Sequence, residues 1–301
     1  MRASVKTKAS AWVVLLAVAG LLFGAAPTLG REDGGLVQAV GEKGSICWTG
    51  GRLEAVGVGT PWEKYQSRPQ AKPQATEMAH DEAFKNLLEV VGSVRVTSTA
   101  TVGDLSEQSQ VIQAQVRDMM RKAQPLKREY LSDGTVVERL SMPLFGGLPQ
   151  LVLPREIVQM PEVRQAPSQD PGRGNEAHTG LVVDALGLSV CPALAPRILD
   201  PDGREVYGPA YVSRDFAVDQ GMCGYANDLE AGREHPRAGK TPLVVRSLSV
   251  QGPGRCDLVI SSADAAKIRE ASENMVFLRK CRVVVILDAA GAGCVQAGEA
   301  P

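Results

Sequence analysis

The sequence predicts an α+β fold in two parts. The first is an amino-terminal antiparallel sheet packed by one long helix, in the order strand, helix, strand, helix, hairpin. It is linked to a second α/β domain that contains a strand–helix–strand unit. Three observations predict this: an apolar stripe at helical spacing over residues 73–91, two alternating β-rich segments around Asp133-Gly134, and an apolar strand, helix, strand pattern over residues 256–288. The resulting partition is a leader at 1–30, a first domain at 36–148, a linker at 149–179, a second domain at 180–290 and a flexible tail at 291–301.

The leader is the first element. Arg2, Lys6 and Lys8 precede the apolar run Ala11–Phe23, and small residues with Pro27 follow it. That run is shorter than the roughly 18 to 20 apolar residues a spanning helix needs, so it reads as an export signal cut near Gly30 rather than an anchor. Loss of those three basic residues takes Lys plus Arg from 33 to 30 against 34 acids, a mature net charge of −4. So balanced a surface does not suit nucleic acid or anionic membrane. At 44% hydrophobic and 22% charged, the chain has the composition of a folded domain, with an aliphatic core because aromatics reach only 4%.

The first domain opens with a glycine-punctuated extended segment, ICWTGGRLEAVGVGT. A helix follows, in which Ala79, Ala83, Leu87, Val90 and Val91 fall on one face and Gly92 supplies the stop. His80, Asp81 and Glu82 stand together within it and invite a metal or acid/base reading. Consecutive helical residues are roughly 100° apart, so the three side chains diverge and read as a solvated face. After the helix, VRVTSTATV alternates and is rich in β-branched residues, which predicts a strand. The run LSEQSQVIQAQVRDMM predicts a second amphipathic helix with Val111, Ile112, Val116 and Met119 or Met120 on one side. The segments KREYL and TVVERLSMPL around Ser132-Asp133-Gly134 then form a hairpin. Arg121, Lys122, Lys127 and Arg128 are its basic cluster, expected on the wet face of a strand.

Four motifs of this region also carry a resemblance: AVGVG at 55–59, AHDEAFKNLLE at 79–89, VRVTST at 94–99 and the hairpin YLSDGTVVE at 130–138. Together they resemble the Lpp-twenty family of bacterial surface lipoproteins, and are similar to the amino-terminal module of the flagellar assembly T proteins. The resemblance spans residues 45–148. It implies a small α+β fold, a long helix on a sheet, in the bacterial envelope, and it brings no catalytic residues. The chain departs from the lipoproteins in having no cysteine near the end of its leader, so lipid anchoring is not expected.

In the second domain TGLVVDALGLSV predicts a buried strand. ILDPDGREVYG predicts a hairpin closed by Pro-Asp-Gly rather than a calcium loop, since the further oxygen ligands do not follow. PLVVRSLSV, the turn QGPG and CDLVIS predict another hairpin, whose glycines lie between strands and not ahead of a phosphate-binding helix. A helix over SSADAAKIREASENMVFLRK, with Ile268, Ala271, Met275 and Leu278 inward, leads to the strand RVVVILD. Cys256 and Cys281 precede the two strands of this unit. If those strands are neighbours in register, these cysteines are the expected disulfide; otherwise they stay buried as free thiols.

The expected function is a noncatalytic exported envelope protein, an assembly or structural component, periplasmic or outer-membrane associated and not lipid-anchored. No catalytic, cofactor or metal residues are singled out: the histidines His80, His178 and His235 stand in no known catalytic spacing. The expected partners are an envelope or outer-membrane assembly or a second copy of the chain, with no nucleic acid and no transmembrane helix in the mature chain. The alternative is a periplasmic small-ligand-binding protein with its site between the two domains.

Overall fold

A computed structural model describes residues 35–62, 71–154, 178–270 and 272–288. The leader, residues 155–177 of the expected linker and the tail lie outside them. The fold is α+β with two sheets, as the sequence predicts.

The first sheet is antiparallel. It comprises β1 (Val37–Val40), β2 (Gly44–Cys47), β3 (Arg52–Gly59), β4 (Gln124–Tyr130) and β5 (Val136–Pro143), in the order β1-β2-β3-β5-β4. The glycine-rich opening is thus a hairpin of β2 and β3, and β4 and β5 form the hairpin predicted around Asp133-Gly134. Helix α1 (Ala71–Ser93) lies across β3 and β5 and buries Ala75, Ala79, Ala83, Leu87, Val90 and Val91. The glycines of AVGVG face it. A Cβ at Gly57 would collide with the Ala79 carbonyl and the Ala83 backbone, and one at Gly59 with the Ala75 carbonyl. Alanines on the helix and glycines on the strand therefore let two backbones approach closely.

The segment after α1 corrects the sequence reading. No strand forms over 94–102: only an isolated bridge joins Arg95 to Thr101. Val94 and Val96 are buried as expected, but the backbone between them serves the other half of the chain. The Arg95 and Val96 carbonyls accept from the Leu194 and Ala195 amides at 2.9 and 2.8 Å, and the Ser98 carbonyl accepts from Gly254 at 2.7 Å. Thr101 then starts helix α2 (Val102–Gln108) through a capping box with Asp104. Ser109 caps α3 (Gln110–Met120). Val116 and Met120 are buried, whereas Val111, expected on the same side, is exposed. The expected linker begins as helix α4 (Gly147–Val152), with Leu148 and Val152 in the core, so the chain is still part of the packed fold there.

The second sheet is mixed. Its strands are β6 (Leu181–Asp184), β7 (Ile198–Leu199), β8 (Glu205–Tyr207), β9 (Gly224–Ala226), β10 (Leu243–Gln251), β11 (Asp257–Ile260) and β12 (Val283–Ile286), in the order β8-β7-β11-β10-β6-β12-β9. Both predicted hairpins are present, β7 with β8 and β10 with β11. The remaining helices are α5 (Arg214–Gln220), α6 (Leu229–Glu234), α7 (Ser262–Glu270) and α8 (Ser272–Arg279). The last helical region is thus two helices; Ile268 and Leu278 are buried as expected.

The expected disulfide is overturned. β11 and β12 are not neighbours: β10 and β6 stand between them, and the pairing directions make the two antiparallel. Three strand steps alone separate the strands by roughly 14 Å, and because they are antiparallel their starts lie at opposite ends of β10, well beyond the limit of about 7 Å between bridged Cα atoms. Cys256 and Cys281 are free, as are Cys47 and Cys223; Cys191 is the described cysteine that is disulfide-bonded. Burial pushes the Cys223 thiol up to about 11 and Cys281 to about 12, and raises Cys256 as well, so all three are held as neutral thiols.

The two sheets share one hydrophobic cluster running from Leu36 to Leu287. Trp48 meets Tyr225 edge to face at 5.6 Å between ring centroids, and the Gly146 amide donates to Val218 O. Among the described residues, no helix is long and apolar enough to cross a membrane.

Replacing Gly57 by alanine is expected to cost about 3 kcal/mol or more, the upper range for an overpacked core, because the obstructing atoms are backbone and cannot rotate away. Urea denaturation of Gly57→Ala against wild type measures it.

Candidate functional site

Among the described residues, one convergence of charge lies between α1 and β4. Helix α1 covers β3 and β5 but stops short of β4, the outermost strand, leaving a cleft of about 660 Å³ lined by Lys72, Pro73, Thr76, Glu77, His80 and Arg128. Glu138 of β5 sits beside it and is completely buried. Strand register puts Arg128 directly across from Glu138, and the guanidinium grips it through Nε and Nη2 at 3.0 to 3.2 Å. His80 Nδ1 lies 3.3 Å from Glu138 Oε1. With Glu138 ionised, that ring nitrogen carries the proton and donates. The carboxylate beside Arg128 raises the guanidinium pKa further, and a hydrogen bond to Tyr130 adds to this. Lys72 in turn sits over the Tyr130 ring, 4.2 Å from its centroid.

Helical geometry keeps the three ionisable neighbours apart, as the sequence predicts; Asp81 and His80 are both on the solvated face, but His80 and Glu82 also make contacts which that reading did not foresee. His80 turns toward Glu138. Glu82 turns the opposite way, toward the edge of β3 that β2 leaves open past Ala55. There the Val58 amide and Lys43 Nζ each donate to Glu82 at 2.5 Å, and Asn86 Nδ2 donates to the Val56 carbonyl at 2.7 Å. Two helical side chains thus satisfy backbone groups that a further strand would otherwise take. Burial pushes the Glu82 carboxyl up, but Lys43 and the Val58 amide outweigh it and hold the pKa below the ordinary value.

A second network lies at the β7–β8 end of the other sheet. Asp257, almost fully buried, accepts from the Arg197 amide at 3.1 Å and from its guanidinium at 2.6 and 3.2 Å. Asp200 closes its own turn through the Asp202 and Arg204 amides and pairs with Arg269 at 3.0 Å. Every carboxylate oxygen of Asp200 is therefore committed, which agrees with the turn reading over calcium. Nearby, burial raises the Glu205 carboxyl, outweighing the Ala210 amide and the Arg197 charge that lower it, and its Oε1 is buried without a hydrogen bond.

Sequence reasoning passed over Glu138 and Asp257. The signal available was a lone acid at an inward position of an apolar strand, VVERL and CDLVI; for Glu138 the predicted hairpin also placed Arg128 alongside, whereas nothing in the sequence placed Arg197 beside Asp257. His235 sits against Arg237, and burial followed by that charge lowers its pKa. Among the described residues, no group of three or more His, Cys, Asp or Glu side chains is placed to hold a metal ion.

The family model described as the second domain of Treponema pallidum Tp0624 matches residues 180–289, which carry the whole second sheet. No curated protein matches the chain.

Two measurements test the charge assignments. Arg128→Ala should cost about 2–3 kcal/mol, below the ~3–5 expected for a fully buried pair because Arg128 is partly exposed, while Arg128→Met combined with Glu138→Leu should return to within about 1 kcal/mol of wild type. For Glu82, whose folded pKa is depressed, the stability advantage over Glu82→Gln should be complete above the ordinary carboxylate pKa and disappear as pH falls through the depressed one; an advantage that persists in acid contradicts the pairing.

Proposed function

We propose that the protein is a noncatalytic exported component of the bacterial cell envelope that works by assembly, as part of an outer-membrane or flagellar-motor-associated structure. The observation that carries this reading is the pairing of Glu138 with Arg128 and His80. This charge cluster is closed on itself, and what it fastens is an edge strand exposed along its whole length. Arg197 with Asp257 and Lys43 with Glu82 likewise commit their charges to holding backbone in place. These are the uses of ionisable groups in a scaffold.

Two further observations support the reading. Residues 1–30 have the basic, apolar and small-residue order of an export leader. Residues 45–148 keep the long helix on an antiparallel sheet that their resemblance to the Lpp-twenty and flagellar assembly T modules implies. The alternative of a ligand site between the two domains is not favoured, because the junction is occupied by Trp48 on Tyr225 and by main-chain hydrogen bonds from Leu194, Ala195 and Gly254.

Expression in an envelope-bearing bacterium, followed by fractionation and amino-terminal sequencing, should find the chain in the periplasmic or outer-membrane fraction, beginning close to Arg31. In-cell crosslinking should then recover it in a larger complex. Intact chain confined to the cytosol, or a strict monomer with no crosslinked partner, contradicts the proposal.

A further inference from the structure

We propose that β4 is a self-recognition edge, at which two copies of the chain pair β4 to β4, antiparallel, about a two-fold axis at Arg128. The inference rests on the assembly reading and names one partner for it, a second copy. β4 is the terminal strand of its sheet, and all seven of its residues are exposed, including Leu126 at 56% and Tyr130 at 51%. One side of its backbone is bonded to β5. Along the other, every second residue turns its amide and carbonyl outward, which is a template for another strand.

The sequence of that edge selects its complement. Leu126-Lys127-Arg128-Glu129-Tyr130, reversed about Arg128, sets Lys127 opposite the partner subunit's Glu129 and Leu126 opposite the partner subunit's Tyr130. An opposite-charge pair and an apolar–aromatic pair are favourable cross-strand neighbours. The adjacent registers that keep outward amides facing outward carbonyls centre on Lys127 or on Glu129 and oppose like charges. Arg128, which meets its own copy on the axis, is already neutralised by the two-pronged grip on Glu138. Lys127 and Glu129 contact each other within the strand at 2.7 Å and are both exposed, so exchanging that contact for one across the axis sacrifices little.

The other end of the edge limits the pairing. Pro125 has no amide to offer, and the register shifts between Pro125 and Lys127, devices that keep a strand edge from pairing along its full length. What remains regular is Lys127–Tyr130, so the two Lys127–Glu129 pairs carry the recognition and Leu126, at the register shift, lies at its margin. Because a two-fold pairing uses the same edge of both copies, association closes at the dimer and does not run on into a fibre.

The experiment is sedimentation equilibrium of the purified full chain over a wide concentration range, for wild type, Lys127→Glu, Glu129→Lys and the double exchange. Both substitutions lie on exposed side chains, and equal thermal midpoints of the three variants verify that folding is unaffected. Wild type should show a concentration-dependent dimer, each single reversal should raise the dimer dissociation constant roughly tenfold by opposing like charges twice across the axis, and the double exchange should restore it. A wild-type chain that stays monomeric at every concentration, or a dimer indifferent to both reversals, overturns the proposal. If such a monomer is still crosslinked to another envelope protein in cells, self-pairing is lost while the assembly reading survives; if it is crosslinked to nothing, both fail.

Discussion

Helix α1 can rest on its sheet only because two strand residues and three helix residues have almost no side chain. Gly57 and Gly59 face Ala75, Ala79 and Ala83, and the space a single Cβ would need is filled by helix backbone. At that separation even short side chains reach across. Asn86 and Glu82 touch the open edge of β3 on one flank, while on the other His80 comes within 3.3 Å of Glu138. A helix standing off by the width of a leucine would break both sets of contacts together. The glycines fix the distance, and the distance makes the polar contacts available.

Close seating also determines what the helix leaves uncovered. Pressed onto β3 and β5, α1 cannot also shield β4, whose inward face is left to Arg128 and Tyr130 rather than to aliphatic side chains. An outer strand without a hydrophobic underside must be held some other way. The ion pair to Glu138 does this at low cost in side-chain entropy, because the register places the two residues opposite each other and the guanidinium is a rigid fork. The buried carboxylate, costly in isolation, thereby specifies the register of the edge strand: a slip of one residue would bring Lys127 or Glu129 alongside it on the wrong face.

The parts of this fold legible in the sequence are those decided within a few residues. Alternation on either side of Asp133-Gly134 yields a hairpin wherever the chain goes next, and the Ala79, Ala83, Leu87 spacing yields a helix. Legibility fails where the deciding partner is distant. VRVTSTATV has the composition of a strand, but its carbonyls are claimed by Leu194 and Ala195, about a hundred residues away, and by then its pattern of buried valines is all that remains of the expectation. Cys256 and Cys281 precede strands that look consecutive, yet β10 and β6 are inserted between them, and sheet order is set by pairing energies summed over seven strands. Glu138 and Asp257 were passed over for the same reason: an acid in an apolar strand reads as an anomaly until its arginine is placed beside it.

The second sheet shows the same economy by different means. Its terminal strand β9 is wholly buried although it is an edge, because the first half of the chain lies against it: Trp48 meets Tyr225 edge to face, and Thr49 Oγ1 reaches the Tyr225 carbonyl at 3.5 Å. Tyr225 in turn uses its hydroxyl to donate to the Ala193 carbonyl at 2.7 Å and to accept from the Ala193 amide at 2.8 Å, beside the same loop whose amides bind Arg95 and Val96. One aromatic side chain therefore ties together the edge of the second sheet, the loop that leads to β7 and the end of the first domain. Covering an edge with the chain's own residues removes it from competition, whereas β4 has no such cover. The contrast between a hidden edge and an open one, within one continuous core, is the physical ground on which the proposed self-pairing of β4 rests.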